Sequence, residues 1–161
     1  MSSMLRTGAP SATILIRLMV GGVFLAEGIQ KFLFAESQGA GRFARIGIPW
    51  PEITGPFVGC TETVCGALII LGLLTRPAAL VMLFNISVAL VSTKLPILLG
   101  HAVGPFSLAT LARYGAWSAI HEARVDLSMW LGSLFLLIVG AGAISFDAVL
   151  AGKGRGPSRR T

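Results

Sequence analysis

Apolar runs long enough to cross a bilayer leave this chain the fewest ways to fold. Four can be marked off, at residues 12–34, 53–74, 77–99 and 125–146, and each reaches the roughly 20 residues that a spanning helix needs. In hydrocarbon a backbone must satisfy its own hydrogen bonds, so these runs read as helices. The link Leu74-Thr75-Arg76-Pro77 is so short that the second and third helices are expected to form an antiparallel hairpin. Pro77 falls in the first turn of the third, where a missing N–H costs little, and Gly100 closes it. Only 12% of residues are charged, against about 25% in a soluble domain. The expected architecture is an all-α, integral membrane, antiparallel four-helix bundle, a single domain over residues 1–161 with a basic tail at 152–161.

The net charge of +6 does not point to nucleic acid, because no stripe of interleaved basic and aromatic residues accompanies it. It reads as membrane topology. Arg6, Arg76, Lys153, Arg155, Arg159 and Arg160 fall on one side of the four spans, and Arg42, Arg45, Arg113 and Arg124 on the other. The excess places both termini in the cytoplasm. The first span does not read as a cleaved signal peptide, since Arg17, Glu27 and Lys31 interrupt its apolar stretch. Residues 40–51 and 106–123 mix aromatic and apolar residues with arginine, which suits segments lying at headgroup level, the second as a short surface helix. His101 and His121 belong to or border that second loop and make a poor haem or metal pair, so no metal site is expected. Cys60 and Cys65 are five residues apart, about 140° around a helix, and do not bridge each other.

Charges inside the spans need a reason, because an isolated one in hydrocarbon is costly. Glu27 and Lys31 are spaced i,i+4 with the acid first, the better orientation for an ion pair. Arg17 shares their face, and Arg17 and Lys31, near opposite ends of the span, have side chains long enough to snorkel, which the short Glu27 cannot do. On the second span Gly55, Gly59, Glu62 and Gly66 form one stripe, and small residues on a stripe let another helix approach. Glu62 is therefore expected to face protein. Counting from the span ends, Glu27 and Glu62 lie about 10 to 14 Å below the same membrane face. On the third span Asn85 is expected to bond a neighbouring helix and Lys94 to snorkel at the boundary, half a turn out of phase with it. The sequence thus nominates Glu27, Lys31 and Glu62 as the principal polar site, with Arg17, Asn85 and Lys94 in support. One lysine between two carboxylates leaves a formal charge of minus one, so Arg17 or Lys94 must help or one carboxyl must hold a proton.

The segment RLMVGGVFLAEGIQKF from Arg17, the loop GIPWP at residues 47–51 and ETVCGALIILGLLTRPAAL at residues 62–80 together resemble the DoxX family of small four-helix bacterial membrane proteins. The resemblance covers roughly Ile14 to Lys94. It implies the bacterial inner membrane, and it suggests a membrane subunit of a quinone-linked oxidoreductase system, with a quinone as the fitting cofactor and a partner subunit carrying the redox centre. A non-catalytic protein that assembles or anchors a partner complex is the alternative. The chain shows no flavin fingerprint, iron–sulfur pattern or covalent cofactor attachment of its own. A transporter of only four spans without an internal repeat would need to be a homo-oligomer.

Overall fold

A computed structural model describes residues 9–153. Arg6, Arg155, Arg159 and Arg160, on which the expected sidedness partly rests, and nearly all of the basic tail lie outside the described residues. The regular structure of the described residues is all helical, without a strand. Its helices are α1 (Thr13–Leu33), α2 (Ala35–Gln38), α3 (Ala40–Ile46), α4 (Pro51–Leu71), α5 (Thr75–Leu99, with a π-type turn at Leu90–Lys94), α6 (Ala116–Val139) and α7 (Phe146–Lys153). Three of them, α1, α4 and α5, are long and apolar enough to cross a membrane.

The boundaries follow local chemistry. Pro51 occupies the first turn of α4, where its missing N–H has no helical partner to lose. Gly72 ends α4 in the left-handed region, and the Gly72 and Leu73 N–H groups bond back to the carbonyls of Ile69 and Leu68. Gly100, also left-handed, closes α5 with its N–H on the Pro96 carbonyl. The fourth expected span is displaced. Its helix begins at Ala116 and ends at Val139, instead of covering 125–146, because Gly140 (φ 89°) and Gly142 (φ 83°) turn the chain out of helix. The surface helix expected over 106–123 is also corrected: residues 106–115 are irregular, and 116–123 form the first turns of α6. Glu122, Arg124 and Asp126 therefore lie within one long helix whose later part is apolar.

Backbone contact joins α1 to α4. The two run antiparallel, since Gly21 lies against Gly66 and Gly28 against Gly59 and Thr63. A β-carbon at Gly28 would stand 2.6 Å from the Thr63 nitrogen and 2.7 Å from the Gly59 carbonyl oxygen. The expected glycine stripe on α4 is met by glycines on α1, spaced i,i+7. Gly28→Ala is expected to push the helices apart and lower stability by about 1–3 kcal/mol. Gly22, with no atom within 4 Å of its β-position, is the control: its alanine variant should match or exceed wild type in thermal unfolding in mild detergent. Equal gains for both variants would mean that helix propensity, not contact, governs these positions.

The interior is built by Val20, Phe24, Ile69, Ala79, Met82, Met129 and Leu136. Helix α6 runs antiparallel to α5: Arg76 bonds the Ile138 carbonyl, Trp130 donates to Ser87, and Lys94 pairs with Asp126. The outer faces are apolar and exposed, as at Phe57 (69%), Phe84 (72%) and Ile138 (66%). Water would penalise such a surface; lipid does not.

Candidate functional site

Close approach of α1 and α4 brings Lys31 to Glu62. The Lys31 Nζ stands 2.6 Å from Glu62 Oε2, and both side chains are 7% exposed. From α5, Asn85 Nδ2 donates to the other carboxylate oxygen, Oε1, at 2.9 Å. Three helices thus meet at one carboxylate, with each oxygen accepting a separate donor. The ammonium also lies 3.8 Å from Glu27 Oε2 and 3.4 Å from the Glu27 carbonyl oxygen. Glu27 differs in environment: its side chain is 44% exposed. It sits on the flank of α1 away from Gly21 and Gly28, and so away from α4.

Arg17 and Lys94 do not join this cluster, and neither snorkels. Arg17 is 2% exposed. Its Nε bonds the Ile69 carbonyl at 2.9 Å and its Nη2 the Ile70 carbonyl at 2.6 Å, while Nη1 bonds the carbonyls of Ala141 and Ile144. A guanidinium presents five donors in a planar fork, so one side chain can hold the end of α4 and the loop after α6 together. Lys94 pairs with Asp126 at 3.1 Å. The π-type turn at Leu90–Lys94 carries an extra residue, which rotates Lys94 by about 100° from its ideal-helix position and aims it at α6.

Two acids that the sequence reading passed over complete these contacts. Asp126 neutralises Lys94. Asp147 is 3% exposed and accepts from the N–H groups of Leu74 and Thr75 at 2.8 and 3.0 Å. It caps the start of α5 from a distant segment, while its own N–H bonds the Gly72 carbonyl. Arg17 at the C-terminus of α4 and Asp147 at the N-terminus of α5 each match the helix dipole they face. An acid in the Gly- and Ser-rich stretch after an apolar helix was the available signal for Asp147.

Cys65 is buried, Cys60 is exposed, and both are free thiols. His101 and His121 are exposed on the surface. Beyond the end of α1, residues of α2, α3, α5, α6 and the loop at 107–111 surround a cleft of about 390 Å³. Gly47 (φ 82°) passes so close to the Pro105 carbonyl that no side chain fits, and the Ser107 N–H bonds the Ile46 carbonyl.

The model of the DoxX family matches residues 12–95. An uncharacterized membrane protein of Mycobacterium tuberculosis, Rv3486, is 47% identical over 148 residues, covering 92% of this chain and 86% of that protein. No solved structure matches.

Proposed function

The chain belongs to the DoxX family of membrane proteins, and on that premise we propose that it is the membrane subunit of a quinone-linked oxidoreductase system. In this reading α1, α4, α5 and α6 form an antiparallel four-helix bundle in the bacterial inner membrane with both chain ends in the cytoplasm, and a partner subunit supplies the redox centre. One observation carries the functional part: a single ammonium, Lys31 Nζ, faces a buried carboxylate on one side and a half-exposed one on the other. Arg17 and Lys94 are engaged elsewhere, so the ionised cluster carries minus one. Uncompensated charge in hydrocarbon is costly, and a proton held at an Oε atom of Glu27 or Glu62 removes it. That proton is available for transfer near the surface of α1.

A quinone head needs hydrogen-bond donors beside an apolar approach; on the Glu27 flank of α1 the Gln30 amide would hold it, with Val23 beside it and the Lys31 ammonium buried behind Glu27. When bound, a quinone would supply two-electron, two-proton chemistry. Glu27, Lys31 and Glu62 hold and pass the proton, Asn85 positions the Glu62 carboxylate, and Phe24, 2% exposed, helps keep water from the core side.

The second reading is a non-catalytic protein that assembles or anchors a partner complex. It is favoured by the way Lys31, Glu62 and Asn85 tie three helices together, as a purely structural clasp would. Purification in mild detergent, with extracted quinone quantified and quinone reduction by the co-purified complex assayed, separates the two. Under the redox reading Glu62→Gln leaves a folded protein whose complex loses about 10²-fold or more in quinone reduction, the lower range for a proton-transfer group. Full activity in that variant, with Glu62→Ala unfolding the bundle, would establish the clasp and remove the redox role.

A further inference from the structure

The cleft beyond α1 lies at the end of the molecule ringed by exposed aromatic residues. Trp50 (77% exposed) precedes α4, Trp117 (86%) opens α6, and Tyr114 (43%) lies just before it. Aromatic residues with one polar edge collect where hydrocarbon gives way to headgroups, so this end sits at headgroup level. The cleft volume of about 390 Å³ falls within the 300–1,000 Å³ or so usual for small-ligand sites.

Its charges are separated between elements. Arg42 and Arg45 line it from α3, and Glu122 lines it from α6. Arg42 bonds only a neutral acceptor, the Gln38 amide oxygen at 3.2 Å, and Arg45 bonds the Glu36 and Ser37 carbonyls at 2.9 and 3.1 Å. Neither arginine is in an ion pair among the described residues. Lys94 also lines the cleft, but Asp126 already balances it. Ile46 and Ile97 add apolar lining. A simple anion entering here would meet Glu122, and a simple cation would meet two guanidinium groups. A ligand with a phosphate at one end and an ammonium at the other satisfies both walls.

We propose that this cleft binds a phosphoethanolamine group, carried by a membrane phospholipid, with the phosphate on Arg42 and Arg45 and the ammonium on Glu122. Guanidinium forks suit phosphate oxygens, and a primary ammonium can donate N–H groups to a carboxylate where a trimethylammonium cannot. The inference is independent of the quinone reading.

The test is native mass spectrometry of the intact chain released from vesicles of equimolar phosphatidylethanolamine, phosphatidylglycerol and phosphatidylcholine. Wild type is expected to retain phosphatidylethanolamine about tenfold over each competitor, the effect of one hydrogen bond between charged groups. The double variant R42Q/R45Q should lose that retention. Glu122→Gln should abolish the preference over phosphatidylglycerol by removing the acid that repels an anionic lipid. Glu122 makes no side-chain hydrogen bond or ion pair among the described residues, so E122Q keeps the test valid even if the arginine variant unfolds. Free phosphoethanolamine is added in a parallel arm: failure to displace the lipid supports a membrane-borne ligand, and complete displacement would overturn the lipid as source. Equal retention of the three lipids by wild type, or an unchanged preference in E122Q, would overturn the site.

Discussion

Lys31→Met is expected to lower the unfolding free energy of the protein in mild detergent by about 3–5 kcal/mol, the usual result of stripping one partner from a buried ion pair. Glu62→Met should cost less, because Lys31 keeps Glu27 Oε2 at 3.8 Å, whereas Lys31→Met strands the Glu62 carboxylate in a site where both side chains of the pair are 7% exposed. The double variant K31M/E62M is expected to recover most of the loss, since neither charge then needs a partner. It will not recover all of it. Asn85 Nδ2 donates to Glu62 Oε1 and would be left without an acceptor, at a cost of about 1–3 kcal/mol. Adding Asn85→Leu should bring the protein closest to wild type in stability while removing every buried polar group of the cluster and leaving only the half-exposed Glu27. Single variants that each fall within about 1 kcal/mol of wild type would show that the pair is not isolated from water as its burial implies.

Arg17→Leu is expected to be the other severe change, lowering stability by about 3 kcal/mol or more, given that hydrogen bonds from a charged donor are worth roughly 1.5–3 kcal/mol each. Four carbonyls from two separate segments converge on this side chain, those of Ile69 and Ile70 and those of Ala141 and Ile144. Arg17→Lys should rescue less than half of the loss. Its ammonium carries three donors on one atom and lacks the planar fork that reaches both segments. Hydrogen exchange offers the sharper reading: amides at 72–75 and 145–149 should lose protection together, because Asp147 fixes the same turn through Leu74 and Thr75. A lysine variant indistinguishable from wild type would refute the clamp.

Much of the helical layout was legible without coordinates. The expected ranges 12–34, 53–74 and 77–99 lie within a few residues of Thr13–Leu33, Pro51–Leu71 and Thr75–Leu99. Hydropathy and the flanking prolines and glycines act locally, so they can be read along one dimension. The i,i+4 spacing of Glu27 and Lys31 and the stripe through Gly59, Glu62 and Gly66 are local in the same sense. They aimed the right faces before any packing was known. The last long helix was misplaced because the polar residues Glu122 and Arg124 put the expected start of the span at 125, whereas the helix begins at Ala116 and stops at Val139 before Gly140.

By itself, then, the sequence determined an all-helical membrane chain, a tight hairpin between α4 and α5, and a polar face on each of the first two long helices. Tertiary structure alone decided which charges meet. Arg17, Glu27 and Lys31 share one face of α1, yet Arg17 is taken by carbonyls 52 to 127 residues away in the chain, Lys31 by Glu62 and Glu27, and Lys94 by Asp126. Helical periodicity sets the direction in which a side chain leaves its own helix. What waits there depends on helix pairing and loop path, and those follow from contacts between distant segments, such as the glycine-to-backbone fit of α1 on α4 and the two carbonyls that Gly140 and Gly142 help turn toward Arg17.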